Sequence, residues 1–184
     1  EVEREKIGQG KKWALIAKGG DSRKWYGNVL DLIDWSDEAR KHYRADKVAR
    51  IAPEYIWFRK GICWNHIATS KGFAARYLRE DTLFETASPA ILIDDKEQLA
   101  IIMAFLNTPI TRSMMELLNP SVCKNVGDVT GLPLILKEDE KDMINRLSEK
   151  NQKLAEDDWD SFEISWDFIK HPLVEVVSND NAMS

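Results

Sequence analysis

Along the first half of the chain, apolar residues come in short bursts that predict strands. Residues 12–17 (Lys-Trp-Ala-Leu-Ile-Ala) form the first, and residues 25–33, with Trp25, Tyr26, Val29, Leu32 and Ile33, the second. Lys18-Gly19-Gly20-Asp21-Ser22 between them reads as a turn, because Gly tolerates turn dihedrals and Asp and Ser bond their own backbone. Ser36 or Asp37 is placed to cap a short basic helix running to about Val48. Residues 55–58 (Tyr-Ile-Trp-Phe) and 62–67 (Ile-Cys-Trp-Asn-His-Ile) predict two strands joined as a hairpin by Arg59-Lys60-Gly61. The stretch 83–93 ends in Ala-Ile-Leu-Ile, again strand-like.

The period then changes. Leu99, Ile102, Met103 and Leu106 fall at i, i+3, i+4 and i+7, one face of a helix. A second helix is predicted over 109–118, stopped by Asn119-Pro120. Gly127-Asp128 and Gly131-Leu132-Pro133 mark a loop. A third helix covers about 138–155, with Glu138, Asp139 and Glu140 at the positive end of its dipole. Asp142/Arg146 and Glu149/Lys153 are spaced for i,i+4 ion pairs. Its apolar stripe, Met143, Ile144, Leu147 and Leu154, is thin and predicts packing along a narrow seam. The last ten residues read as a frayed tail. The fold class is α+β: a small mixed or antiparallel sheet domain over residues 1–136, then a helix and tail over 137–184.

A chain of 184 residues with 43% hydrophobic content suffices for one sizeable core. No apolar run reaches the ~20 residues that span a bilayer. The charged start Glu1-Val2-Glu3-Arg4-Glu5 is not a signal peptide. The absence of a starting Met leads to the expectation of a piece of a larger protein. Cys63 and Cys123, the two cysteines, build neither a zinc ribbon nor a disulfide framework and read as reduced thiols. The net charge of -5 weighs against a nucleic-acid partner, but it is unevenly spread. Residues 1–80 carry 17 Lys+Arg against 11 Asp+Glu, and residues 81–184 carry 9 against 20. Such asymmetry fits a basic nucleic-acid face beside an acidic region, and equally charges that mingle on the surface.

Catalytic chemistry finds little support. His42, His66 and His171 lack metal-ligand spacing. No Gly-x-Ser-x-Gly motif occurs, and Cys63 lies in a predicted strand without an evident base. Lys18-Gly19-Gly20 is not a P-loop, since no Gly-Lys-Ser/Thr follows at the required spacing.

Binding chemistry finds more. In Lys18 to Asn28, a glycine turn offers backbone N–H groups to an anion, while Lys18, Arg23 and Lys24 add charge. Trp25 and Tyr26 offer stacking faces, and Arg and Asn (Arg23, Asn28) are the side chains that read guanine and adenine edges. The same residues also fit an exposed basic turn whose aromatics belong to the core. Arg59, Lys60, Gly61, Trp64 and Asn65, followed by Lys71, Gly72 and Arg76, repeat the recipe. The seven Trp exceed what a small core needs, and surplus Trp marks binding surfaces.

These segments resemble a known family. The runs Lys18 to Asn28 with Ile33-Asp34-Trp35, Lys60-Gly61-Ile62-Cys63-Trp64, Phe105-Leu106-Asn107-Thr108, Leu118-Asn119-Pro120, Gly127-Asp128-Val129 with Leu132-Pro133, and Ser165-Trp166-Asp167-Phe168 with His171-Pro172-Leu173 are similar to the C-terminal half of PglX-type enzymes. Those are adenine-specific DNA methyltransferases of BREX phage-defence systems, with relatives among single-chain restriction–modification enzymes. The resemblance covers about residues 12–175. In that family a preceding catalytic half holds S-adenosylmethionine and, with an Asn-Pro-Pro-Tyr-type motif, the flipped adenine. Asn119-Pro120-Ser121-Val122 lacks the second proline and the aromatic, and reads as a helix-ending turn.

The resemblance therefore implies a target-recognition region without a catalytic site or cofactor of its own, in the bacterial cytoplasm. Its partners would be double-stranded DNA and the parent's catalytic domain, with other defence subunits or phage inhibitors as further possibilities. The helix at 138–155 would then be a spacer or docking element, as in restriction–modification specificity subunits. The DNA-contacting set expected is Lys18, Arg23, Lys24, Trp25, Tyr26, Asn28, Arg59, Lys60, Trp64, Asn65, Lys71 and Arg76. The alternative is a protein–protein docking module of the same defence system, using the acidic residues 137–163.

Overall fold

The computed structural model describes residues 2–49, 51–68 and 72–174. In chain order the elements are β1 (Trp13–Ala17), β2 (Asp31–Asp34), α1 (Asp37–Ala45), β3 (Gly61–Trp64), β4 (Ala75–Leu78), β5 (Thr82–Phe84), β6 (Ala90–Leu92), α2 (Lys96–Leu106), α3 (Pro109–Leu118), α4 (Val126–Thr130) and α5 (Lys141–Asp160). The architecture is α+β, with two three-stranded sheets, β2-β1-β5 and β4-β3-β6. The first is mixed: β1 pairs antiparallel with β2 and parallel with β5. The second is antiparallel throughout, with Ile62 opposite Tyr77 on one side and Ile91 on the other. Trp25 bridges to the outer edge of the second sheet: its N–H donates to the Ala75 carbonyl and its carbonyl accepts from the Tyr77 N–H.

The helices start where local chemistry allows. Ser36, Asp95 and Thr108 accept backbone N–H groups at the first turns of α1, α2 and α3. Pro109 opens α3, where a missing N–H leaves no bond unmade. Leu99, Met103 and Leu106 of α2 form the main core with Ile62, Trp64, Phe73 and Ala75. α5 runs along α2, and the buried Ser148 hydroxyl donates to the Ala100 carbonyl at 2.7 Å. No helix among the described residues is long and apolar enough to cross a membrane.

Several expected elements differ, for identifiable reasons. Only Asp31–Asp34 of the 25–33 stretch is a strand, because Trp25, Gly27 and Asn28 have positive φ, which breaks a pleat. The 55–58/62–67 hairpin does not form: Glu54–Ile56 is a 3-10 turn and Phe58 has φ 53. β3 pairs instead with β4 and β6. The 83–93 stretch is two strands, in different sheets. The 127–133 loop contains α4, and α1 ends at Ala45. Helix 138–155 is a 3-10 turn followed by α5, which continues to Asp160. The expected pair Glu149/Lys153 is replaced by Lys96–Glu149 and Lys153–Asp157. Both cysteines are free thiols, Cys63 buried and Cys123 half-buried.

Candidate nucleic-acid interface

The loop after β1 is set by two asparagines. The Asn28 side-chain amide donates to the carbonyls of Gly19 (2.7 Å) and Asp21 (3.0 Å). The Asn65 amide, just past β3, donates to those of Gly20 (2.6 Å) and Asp21 (3.2 Å). Three successive carbonyls are therefore turned inward. Lys18 stands exposed at the loop's entrance. Lys24 is also exposed, and its ammonium donates to the Asn107 carbonyl at 2.8 Å. Asn107, buried, bonds the Ala75 backbone in both directions, so it fixes β4 against the end of α2.

The remaining expected contact residues divide. Trp64 is 0% exposed and its indole N–H donates to the Lys124 carbonyl, so it is core and has no face to offer a base. Arg76 is also 0% exposed, bonded to the Asn65 side-chain oxygen and the Ser88 hydroxyl. Tyr26 is 4% exposed and its hydroxyl accepts from Arg79. Burial pushes the Tyr26 phenol above the usual tyrosine range, opposed by the Arg79 charge. Asn28 is spent inside the loop, and Trp25, half-buried at φ 72, packs on the main core. A bulky residue at such φ is an outlier that its surroundings must hold in place.

Arg23 faces α5. Its guanidinium pairs with Asp158 and lies 4.9 Å over the Trp159 ring. Arg59 pairs with Asp94, and Lys60 lies 4.0 Å from Glu80. Arg59 and Lys60 precede β3 while Asn65 follows it, so roughly 17 Å of strand separates the two basic segments. Lys71 lies outside the described residues. Of the expected residues, Lys18 and Lys24 are exposed on the loop, with Asn65 and Arg76 beneath it.

The loop rests on the end of α5 and on the tail. Gly27 has φ 93, and a Cβ there would lie 2.6 Å from the Trp159 ring, so only glycine lets α5 approach. The Trp166 indole N–H donates to the Leu30 carbonyl. Asp167 pairs with both Arg4 and Arg79, which also share Asp81. Burial disfavours the Asp167 charge, but hydrogen bonds from Arg79 and Arg4 outweigh it and hold the carboxyl below the usual range. The acidic tail thus packs back on the loop-bearing half. Beside it opens a cleft of about 430 Å3, lined by Glu80, Asp81, Glu156, Asp160 and Asp167 with a single cation, Arg79. Its sign repels phosphate. Among the described residues, no group of three or more His, Cys, Asp or Glu is placed to hold a metal ion.

The chain is similar to two adenine-specific methyltransferases over a small part of their length. It is 31% identical over 176 residues to the adenine-specific methyltransferase BrxX of Escherichia coli O9:H4 (strain HS), covering 94% of this chain. It is 33% identical over 174 residues, 91% of this chain, to the adenine-specific methyltransferase PglX of Lacticaseibacillus casei (strain Zhang). In both cases the chain spans 14% of the relative's length. No protein-family model matches the chain.

Proposed function

We propose that this chain is the DNA target-recognition region of an adenine-specific, S-adenosylmethionine-dependent DNA methyltransferase that acts in phage defence of the BREX type. The observation that carries the reading is the alignment of over nine-tenths of this chain to a small part of two adenine-specific methyltransferases. A segment with no methyl-transfer motif, inside a long methyltransferase, fits target reading better than chemistry. The cofactor and the flipped adenine would then be held elsewhere in the whole protein. Duplex DNA would meet the Lys18–Lys24 loop, where cations are exposed, and avoid the acidic cleft. Arg59 and Lys60 would form a second contact, since exposed ion pairs contribute only ~0–1 kcal/mol and exchange easily for phosphate.

A docking role is the second reading. Met143, Leu147 and Leu154 are exposed on α5, and an exposed apolar seam suits a protein partner better than DNA. One experiment separates the two: duplex binding by the 184-residue chain, measured by fluorescence anisotropy across a salt series. Lys18→Ala with Lys24→Ala is expected to weaken binding and lower the salt slope by about one for each phosphate no longer neutralised. Absence of duplex binding by the unmutated chain at low salt would overturn the recognition role and favour docking.

A further inference from the structure

Arg76 is the unusual residue of the second sheet. It lies in β4, 0% exposed, and forms no ion pair among the described residues. Its Nε has no hydrogen-bond partner. A buried charge costs several kcal/mol unless compensated, so an unpaired guanidinium points to a compensating role. What it holds is Asn65, whose side-chain oxygen accepts from Arg76 at 2.8 Å while its amide grips the Gly20 and Asp21 carbonyls. Ser88 takes the other arm of the fork at 3.1 Å.

With the carbonyls of residues 19–21 turned inward, the other side of those peptides faces out. Among the described residues, the backbone N–H groups of Gly20, Asp21 and Ser22 donate to no protein acceptor. Gly20 takes φ 103, which lets the turn fold this way, and a Cβ there would crowd Asn28 at 3.0 Å. Successive free N–H groups in a turn attract anions, and the positive charge beneath them adds to the field. Exposed Lys18 and Lys24 flank the turn, and the exposed Asp21 is the one carboxylate among residues 18–24.

We propose that the Gly20–Ser22 turn is a phosphate clamp for the DNA backbone, made of main-chain N–H donors, with Asn65 and Arg76 as the positioning residues that hold it open. The proposal rests on the DNA-recognition reading and assigns this loop the sequence-independent part of it: it fixes register and leaves base reading to other residues. Because the donors are backbone, trimming exposed side chains leaves the clamp in place, whereas disturbing the buried layer removes it.

The test is amide-resolved NMR of the 184-residue chain titrated separately with a short duplex and with inorganic phosphate. The amides of residues 20–22 are expected to shift with both, and at much lower concentration with the duplex. Asn65→Asp keeps the shape, removes the two donors and gives Arg76 a carboxylate. It is expected to abolish both responses and to weaken duplex binding by a similar factor for all sequences. Gly20→Ala should do the same by another route. Retained spectral dispersion outside residues 18–28 and a cooperative melting transition in either variant make it a valid reporter. Duplex binding with amides 20–22 unmoved, or with unchanged affinity in both variants, overturns the clamp while leaving DNA recognition standing. Shifts with phosphate but no duplex binding overturn the DNA assignment and leave a site for a free phosphate.

Discussion

Gly27→Ala probes the seam between the glycine loop and the end of α5. Gly27 sits at φ 93, and the added methyl would stand 2.6 to 2.8 Å from three Trp159 ring atoms. Trp159 is 7% exposed and pinned from the other side by Arg23, so its ring has little room to retreat. Holding an alanine in left-handed backbone costs roughly 1–2 kcal/mol. Forcing a methyl into a packed indole adds about 1–3 kcal/mol. The expected loss is therefore about 2–5 kcal/mol, which for a chain of this size lowers Tm by roughly 5–15 °C. Calorimetric melting of both proteins measures it. Repeating the substitution in a Trp159→Ala background isolates the cause. With the ring gone, only the backbone part, about 1–2 kcal/mol, should remain. An equal loss in both backgrounds would refute the account, because the steric part would then not involve Trp159.

Trp166→Ala, which removes the bond to Leu30, is expected to cost about 1–3 kcal/mol, less than a core Trp, while leaving the salt slope of duplex binding unchanged. A stable variant with an altered slope would place DNA on the tail. Asp167 carries a pH signature. Its folded pKa is depressed, so its contribution is present above the unfolded carboxylate range and is lost as pH falls through the folded value. Asp167→Asn should therefore lower the urea midpoint at pH 7 by the equivalent of about 1–3 kcal/mol and flatten the decline below about pH 4. Parallel midpoint-against-pH curves for the two proteins would contradict that assignment.

What could be read in advance follows from where the information lies. β1, α2 and α3 were legible because a burst of apolar residues, an i, i+3, i+4, i+7 face, and the Thr108-Pro109 start are local signals. The overlong 25–33 strand and the false hairpin had local causes too, but invisible ones: nothing in Trp25 or Phe58 as residue types announces positive φ. β4 was hidden because its centre is an arginine, which hydrophobic patterning counts as surface. At the site, the basic glycine turn was legible as composition. That Trp64 and Arg76 are interior, and that Asn65 is the loop's anchor, depends on pairings between distant segments that spacing does not encode.

The glycine loop with the residues that follow it and the end of α5 with the tail are halves of one joint: Gly27 receives Trp159, Leu30 receives Trp166, and Arg79 receives Asp167. For the proposed target reader, this limits how specificity can be transplanted. A chimera that exchanges residues 1–136 alone would graft a foreign loop onto a resident tail, leaving an indole without its glycine and a carboxylate without its arginine. Exchange cassettes drawn through the end of the tail, past Phe168, carry both halves together. Donor pairs that differ at position 27 or 159 are where shorter swaps would fail first.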